Sequence, residues 1–222
     1  MKKGFLIADL ILILLILAGD VCYIIFGELW LKGVTSAGFV ILGILSLTYL
    51  LLNKEKDLKF PIVMLVGLVF AMCGDIVLNV HFIGGAVLFA IGHIFYFASY
   101  CFIQKFKWID LIYGAVIFVP SVLFITLAPI FDFGGVLMEV VCVVYAIIIS
   151  CMVGKAISNL VRERNLANLI ILIGSVLFFF SDLMLLLNVF ANLPRVVDVL
   201  CLATYYPAEI LLAYSIRLNH KN

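Results

Sequence analysis

Residues 61–80 read PIVMLVGLVFAMCGDIVLNV, and the only strongly polar side chains in this stretch are those of Asp75 and Asn79. An α-helix rises about 1.5 Å per residue, so roughly 20 apolar residues cross the hydrocarbon core of a bilayer. The stretch therefore predicts a membrane-spanning helix that carries a carboxyl group inside the membrane.

The same apolar pattern recurs almost from end to end. Apolar residues make up 67% of the 222-residue chain and charged residues 12%. A soluble domain of this length could not bury that much apolar surface in its core. We expect an all-α polytopic membrane protein, a bundle of eight transmembrane helices that forms one domain over residues 1–222. The predicted spans are Phe5–Phe26, Val34–Leu52, Pro61–Val80, Gly84–Gln104, Trp108–Ala128, Gly134–Gly154, Ala167–Phe190 and Val196–Arg217.

The first apolar run follows Met1-Lys2-Lys3 and resembles a secretory signal at first sight. It is too long for a signal core and lacks a convincing small-x-small cleavage site. We interpret it as the first membrane helix. The net charge of +1 argues against nucleic acid as a partner.

Basic residues in the predicted linkers indicate how the chain is oriented. With a cytoplasmic N-terminus and an even number of spans, nearly all Lys and Arg residues lie on the cytoplasmic side, as the positive-inside rule requires. The cytoplasmic set is Lys2, Lys3, Lys54, Lys56, Lys59, Lys105, Lys107, Lys155, Arg162, Arg164, Arg217 and Lys221, and the outer set is Lys32 and Arg195. Both termini are therefore predicted to be cytoplasmic, in the inner membrane if the host is bacterial.

Two of the predicted spans carry similar short motifs. Gly74-Asp75 lies in the third span and Ser181-Asp182 in the seventh, each followed by a short turn and a helix with tyrosines. This favours a weak four-plus-four internal repeat, residues 1–104 and 105–222. Chance similarity between Leu-rich helices explains the match equally well.

Acidic side chains inside a membrane cost about 2.5–3.5 kcal/mol each on insertion scales, so their presence needs a reason. Asp75 lies 14 residues beyond Pro61, and Asp182 lies 15 beyond Ala167. At about 1.5 Å per residue, both carboxyls reach the same depth, roughly 21–22 Å from the cytoplasmic side. Asp20 and Glu139 lie at similar depth, and Glu209 lies nearer the middle.

Two carboxyls at one depth are suited to acid–base chemistry. Burial favours the neutral form of a carboxyl, and a neutral Asp donates a proton while an ionised partner stabilises a cation or activates water. Since lipid offers no hydrogen-bond partners, both should face the interior of the bundle. The alternative is structural, with Asp75 and Asp182 only hydrogen-bonding neighbouring helices together.

Other polar residues cluster near these acids. Asn79 lies one turn outward from Asp75, and His93, Tyr96 and Tyr100 form one stripe of the fourth span. His93 is a catalyst if this stripe faces the acids and a hydrogen-bonded core residue otherwise.

A metal site is not expected. Only three histidines are present, with His220 in the C-terminal tail, and the six cysteines lie in apolar runs without a C-x-x-C pair. The cysteines are interpreted as packing residues.

The eighth span contains the run Tyr205-Tyr206-Pro207-Ala208-Glu209. Pro207 removes a backbone donor, which predicts a kink near the middle of the membrane and a free carbonyl suited to a cavity wall. The alternative is a purely structural kink with a tyrosine-tethered Glu209.

In order and spacing, these motifs together resemble the YhhN-like lysoplasmalogenase family. The resemblance is carried by Gly74-Asp75, Gly92-His93 with Tyr96, Ser181-Asp182, and Tyr205 to Glu209, within eight spans. The family often has Gln where Glu209 stands. It also tends to have Lys-Pro near the start of the second span, whereas Lys32 here precedes Gly33.

The resemblance implies a hydrolase that cleaves the vinyl-ether bond of lysoplasmalogens to a fatty aldehyde and glycerophosphoethanolamine or glycerophosphocholine. Asp75 and Asp182 would be the catalytic pair, with no metal or organic cofactor, and the partners would be a vinyl-ether lysophospholipid and the bilayer. Lys32 would meet the lipid phosphate, and tyrosines would face an amine headgroup. The candidate substrate-binding residues are Lys32, Asn79, His93, Tyr96, Ser181, Tyr205, Tyr206 and Glu209.

Two rival functions fit the same residues. A proton-coupled transporter of small molecules would also show intramembrane acids, a repeat and a proline kink. In a lipid-binding scaffold the acids would be structural only.

Overall fold

The computed structural model describes residues 2–191 and 193–218, and within them it contains eight α-helices and no strand. Each helix is long and apolar enough to cross a membrane, which confirms the predicted all-α, multi-span fold. The side of the membrane that the termini face stays a prediction, and His220 and Lys221 lie outside the described residues. The helices are α1 (Lys2–Phe26), α2 (Leu29–Leu52), α3 (Lys59–Leu78), α4 (Phe82–Ile103), α5 (Trp108–Leu127), α6 (Val136–Arg162), α7 (Leu166–Phe190) and α8 (Val196–Leu218).

The start of α2 differs from the prediction. The helix begins at Leu29, five residues before Val34, so Lys32 is helical and buried instead of lying in an outer loop. Lys32 was assigned to the loop because its charge interrupts the apolar run. The charge is tolerated inside the bundle because the carboxylate of Asp75 neutralises it.

The end of α6 differs for the same reason. The helix continues eight residues past Gly154 to Arg162, so Lys155 belongs to the helix and not to a linker. Its side chain is fully buried, with Nζ 2.8 Å from Oδ2 of Asp110. Hydropathy alone does not register a cation whose partner lies 45 residues away.

Short loops join consecutive helices, so sequence neighbours run antiparallel. We call the end of the bundle that carries the α1–α2, α3–α4, α5–α6 and α7–α8 loops the distal end. The opposite end, where α1 begins and α8 ends, is the proximal end.

Helix α8 lies at the centre of one half of the bundle, against α1, α2, α3 and α7, while α6 contacts α4, α5 and α7. The contact of α2 with α8 corresponds to the contact of α6 with α4, as a four-plus-four arrangement would require, but the duplication itself stays a prediction. Helices α1 and α5 are the least buried, so both are peripheral.

An arginine ties the last helix to the first. The guanidinium of Arg217 forms a two-point contact with Asp9 of α1. It also lies over the rings of Phe5, Tyr49 and Tyr214, with centroids 4.7–5.7 Å away. This contact closes the bundle at its proximal end.

Helices α3 and α4 pack closely where glycines line α3. A Cβ atom added to Gly67 would lie 2.5 Å from the ring of Tyr96, and one added to Gly74 would lie 3.0 Å from the ring of Phe89. The absence of side chains at these two glycines lets the rings of Tyr96 and Phe89 pack against α3.

Candidate active site

The carboxyl group of Asp75 lies near the distal end of α3 and is held by three side chains. Lys32 of α2 places Nζ 2.9 Å from Oδ1. Ser36, one turn further along α2, donates to Oδ2 at 2.5 Å, and Tyr206 of α8 donates to the same oxygen at 3.0 Å. All four side chains are buried, so Asp75 forms a closed ion pair in a fixed position. We call these four residues the Asp75 cluster.

Further polar groups surround this cluster on the side of α1. The ring of Tyr23 lies 5.2 Å from Nζ of Lys32, and its hydroxyl donates to Oδ1 of Asn79 at 3.2 Å. Asn79 in turn donates to the backbone carbonyl of Asp75 at 2.7 Å. Asp20 is also buried, and it lies within electrostatic range of Asp75 and Lys32. Asn79 thus orients the backbone of Asp75, and Asp20 adds a second acid beside it.

Asp182 on α7 has different partners. The hydroxyl of Tyr145 donates to its Oδ2 at 2.7 Å, and Nε2 of His93 lies 3.1 Å from the same oxygen. Tyr145 and His93 are themselves 2.8 Å apart, which closes a triangle of hydrogen-bonding groups. No hydrogen bond from the described residues reaches Oδ1 of Asp182. We call these three residues the Asp182 cluster.

The aromatic stripe of α4 faces the acids. His93 contacts Asp182, and the hydroxyl of Tyr96 donates to Oε2 of Glu209 at 2.7 Å. Tyr100, one turn further, pairs with the hydroxyl of Ser175 at 2.9 Å. The stripe therefore points toward α7 and α8. His93 was expected to take part in chemistry if the stripe faced the acids, and its position beside Asp182 meets that condition.

Glu209 lies fully buried between the two clusters. A tyrosine does tether it, but that tyrosine is Tyr96 of α4 and not Tyr205 or Tyr206 of its own helix. Its second oxygen, Oε1, has no hydrogen-bond partner among the described residues. Glu209 lies within electrostatic range of both aspartates. Helix α8 continues through Pro207 without a break, and the predicted kink stays a prediction.

A row of rings runs from one cluster to the other. Ring centroids are 4.6 Å apart for His93 and Phe178, 5.4 Å for Phe178 and Tyr205, and 4.9 Å for Tyr205 and Tyr206. The hydroxyl of Tyr205 donates to the backbone carbonyl of Ala71 at 3.3 Å. The two aspartates therefore share no hydrogen bond and lie on either side of an aromatic wall.

Ser181, predicted to bind substrate beside Asp182, points the other way. Its hydroxyl donates to the backbone carbonyl of Cys201 at 2.8 Å and so ties α7 to α8. The hydroxyls of Ser181 and Tyr205 thus both donate to backbone carbonyls in this structure.

A cavity lies between α4, α5, α6 and α7 in the distal half of the bundle. Asp182 is the only carboxyl among the described residues that line it, and Tyr145 adds a hydroxyl beside it. Most other walls are apolar, including Phe82, Ala86, Phe89, Phe124, Ile125 and Phe190. Asp75 does not line this cavity.

Sequence reasoning missed two partners of the aspartates. Ser36 had a recognisable signal, since it lies one turn after Lys32 on the same face of α2. Tyr145 had only a faint one, as the single tyrosine of an apolar run. It contacts Asp182 only because α6 and α7 pack together.

A second buried ion pair lies at the proximal end, away from both clusters. Asp110 of α5 accepts from Lys155 at 2.8 Å and from Ser158 at 2.5 Å, both on α6. It also accepts from the backbone N–H of Lys107 at 2.9 Å. This contact fastens α5 to α6 and does not line the cavity at Asp182.

Within the described part of the chain, no set of three His, Cys, Asp or Glu residues is arranged to hold a metal ion. All six cysteines are free thiols.

Comparison with known proteins gives one match. The family model of the YhhN family matches residues 35–216, a segment that includes both aspartates and their partners from α4, α6 and α8. Searches of curated proteins and of solved structures found no match to this chain. Because the family match spans most of the sequence, this multi-pass membrane protein belongs to the YhhN family.

Proposed function

We propose that this protein is a membrane-embedded hydrolase that cleaves the vinyl-ether bond of lysoplasmalogens. One observation carries the proposal: a single carboxyl, that of Asp182, lies on the wall of an otherwise mostly apolar cavity inside the membrane. An apolar chain with a polar linkage near one end fits such a site. The chain belongs to the YhhN family, and its motifs resemble those of YhhN-like lysoplasmalogenases. Both points support the proposal.

The reaction needs one proton donor and one water molecule. Protonation of the outer carbon of the double bond gives an oxocarbenium ion, as in glycoside hydrolysis. Water adds to the cationic carbon, and the hemiacetal collapses by breaking its bond to the glycerol oxygen. That oxygen receives a proton, and the products are a fatty aldehyde and a glycerophospho-alcohol. Atoms balance with one water consumed.

In this proposal Asp182 is the proton donor. Its partners, Tyr145 and His93, engage one oxygen and leave Oδ1 for the substrate. No Lys or Arg of the described chain is paired with it, so no fixed cation opposes the neutral form. After transfer, the hydrogen bonds from Tyr145 and His93 stabilise the carboxylate that remains.

Asp75 has the complementary role. It is a carboxylate fixed by Lys32, Ser36 and Tyr206, and it supplies negative charge to the side of the aromatic wall opposite Asp182. Lys32 remains the candidate ligand of the lipid phosphate. To bind it, the ammonium would exchange Asp75 for the phosphate, which would leave the carboxylate charge free to stabilise the cation.

The test uses purified protein in detergent with a panel of lysolipids that carry vinyl-ether, alkyl-ether or acyl chains. Mass spectrometry should detect fatty aldehyde from the vinyl-ether lipid only. A transporter would give no product here because detergent provides no compartments. The proposal fails if Asp182→Asn protein, correctly folded, still releases aldehyde at the normal rate.

Glu139→Gln is the matched control, since it removes a carboxyl at the distal start of α6 that lies outside both clusters. It should release aldehyde at the rate of the unchanged protein.

A further inference from the structure

Five phenylalanine rings form a continuous row at the distal end of the cavity, and three of them, Phe82, Phe124 and Phe190, line it. Ring centroids are 5.2 Å apart for Phe124 and Phe131, 5.4 Å for Phe131 and Phe133, 5.0 Å for Phe133 and Phe190, and 5.5 Å for Phe190 and Phe82. The row runs from α5 through the α5–α6 loop to α7 and α4. We call it the phenylalanine cap.

The loop that carries the cap is fastened to α7. The backbone N–H of Asp132 donates to the carbonyl of Phe190 at 2.8 Å. Gly134 and Gly135 then turn the chain into α6 with φ of 65° and 154°, conformations that favour glycine. The cap therefore covers the end of the cavity that faces the membrane surface.

The side of the cavity is built differently. Although α4, α5, α6 and α7 all line it, the backbone of α5 comes close to α6 alone among the described helices. Ser121, Phe124 and Ile125 are the residues through which α5 contributes to the wall. The seams between α5 and its neighbours α4 and α7 are therefore filled by side chains only and face lipid.

Helix α5 is held firmly at its proximal half. Asp110 is bonded to Lys155, and one turn later the helix crosses α6 at Gly114, so closely that a Cβ atom on Gly154 would collide with the backbone of Gly114. Such glycine crossings bring helix backbones into direct contact in membranes.

Pro120 separates this half from the half that lines the cavity. A proline inside a helix removes one backbone hydrogen bond and crowds the preceding turn, so it is a common point of bending. All three cavity residues of α5, Ser121, Phe124 and Ile125, follow it. Few residues of this distal half are buried.

From these observations we infer that the cavity takes the hydrocarbon chain of a single-chain membrane lipid sideways from the bilayer, through the seams that flank the distal half of α5. The phenylalanine cap covers the route along the bundle axis. The seams on either side of α5 lack backbone packing, and the bilayer lies outside them. The distal half of α5 is the movable wall, hinged at Pro120. That the lipid has a single chain and is a lysoplasmalogen rests on the proposed function, but the route does not.

The test is photolabelling in lipid nanodiscs with a 1-O-alkyl lysophosphatidylethanolamine that carries a diazirine in its chain. The alkyl ether is not hydrolysed, so binding is followed without turnover. Adducts should map to cavity residues such as Phe124, Ile125 and Leu186. Adducts confined to outward-facing residues such as Ile112 and Val116 would overturn the inference.

Two matched variants examine the site itself. Ala86→Phe fills the cavity and should lower labelling of its walls about tenfold. Ala115→Phe makes the same change on the lipid-facing side of α5 and should leave cavity labelling unchanged. Equal labelling of the cavity in both variants would contradict the site.

Two further variants examine the route. Phe133→Ala opens the cap and should not change the rate at which cavity adducts form, whereas a faster rate would show that lipid arrives from the distal end. Pro120→Ala restores the helix and should slow labelling without lowering its final extent. An unchanged rate in Pro120→Ala would remove the hinge from the proposal.

Failure of the proposed function would look different. A protein that releases no aldehyde from any lysolipid, yet labels in its cavity and responds to Ala86→Phe, would keep the lateral route and lose the hydrolase assignment. Aldehyde release without cavity labelling would do the reverse.

Discussion

The carboxyls of Asp75 and Asp182 occupy corresponding positions in the two halves of the bundle. Each lies sixteen residues after the first residue of its helix, Lys59 of α3 and Leu166 of α7, which places both about 24 Å from the proximal end. Each also accepts a hydrogen bond from the preceding even-numbered helix. The depth and the helix pairing are therefore shared.

Their surroundings differ in charge and in access. Both oxygens of Asp75 are engaged, one of them by a lysine, and its side chain is 4% exposed. The described hydrogen bonds to Asp182 reach one oxygen only, from Tyr145 and from His93, and its side chain is 11% exposed toward a cavity. Position alone thus does not decide what a buried acid does. A lysine partner holds Asp75 as one half of a buried ion pair, whereas Asp182 keeps one oxygen open toward the cavity.

Asp182→Asn changes the acid that we propose as the proton donor and should have the largest effect. The amide keeps the size and the hydrogen-bond acceptor of the carboxyl but has no acidic proton to give, so aldehyde release should fall by about 10²–10⁴. The melting temperature in detergent should stay close to that of the unchanged protein, because no ion pair with Lys or Arg is lost. Normal turnover would show that another group is the acid.

Asp75→Asn should break the ion-paired side of the comparison. It leaves Lys32 buried without its carboxylate, and losing one partner of a buried pair typically costs about 3–5 kcal/mol of unfolding free energy. Denaturant titration in detergent measures the loss. Adding Lys32→Met should recover much of it, since an apolar replacement of a buried pair is often tolerated.

Asp110→Asn is the control for this second effect, since it disrupts the other buried lysine pair far from the aspartates of α3 and α7. It should be similarly destabilised but keep normal turnover per folded molecule. If Asp75→Asn with Lys32→Met recovers both stability and turnover, Asp75 is structural only.

A pair of tyrosine variants sharpens the comparison, because each removes the same hydroxyl from one cluster. Tyr145→Phe should lower turnover about tenfold and change stability little, because a hydrogen bond to the proposed proton donor is lost. Tyr206→Phe should cost about 1–2 kcal/mol of stability, because its partner Asp75 is fully enclosed. The opposite pattern would exchange the roles of the two clusters.

Glu209→Gln should have the smallest effect. The amide keeps an oxygen to accept from Tyr96, and no Lys or Arg among the described residues is paired with Glu209, so stability should change by less than about 1 kcal/mol. Glu209→Leu is the contrasting variant, because it leaves the hydroxyl of Tyr96 buried without an acceptor. Calorimetry of both variants would test this, and a large loss in Glu209→Gln would give that carboxyl a role of its own.

The spans were predictable because hydrocarbon imposes a length and a composition on each helix. Two boundaries failed where a lysine is neutralised by an acid distant in sequence, at Lys32 and at Lys155. The acids were also predictable, since each interrupts an apolar run. The partners of the acids were less predictable. Ser36 lies 39 residues from Asp75 and Tyr145 lies 37 residues from Asp182, so each pair meets only because their helices pack together. The separation of the two carboxyls by an aromatic wall has no local signal at all.

The contact between Arg217 and Asp9 has a consequence for how the chain is made. Its two residues are 208 positions apart, so at about 5–20 residues per second the ribosome delivers the arginine roughly 10–40 seconds after the aspartate. During that interval the first helix stays in the membrane with an unmatched acid, whereas Asp75 is already paired with Lys32 of α2 and lacks only the hydroxyl of Tyr206. A chain that stops before α8 therefore keeps Asp9 without its arginine.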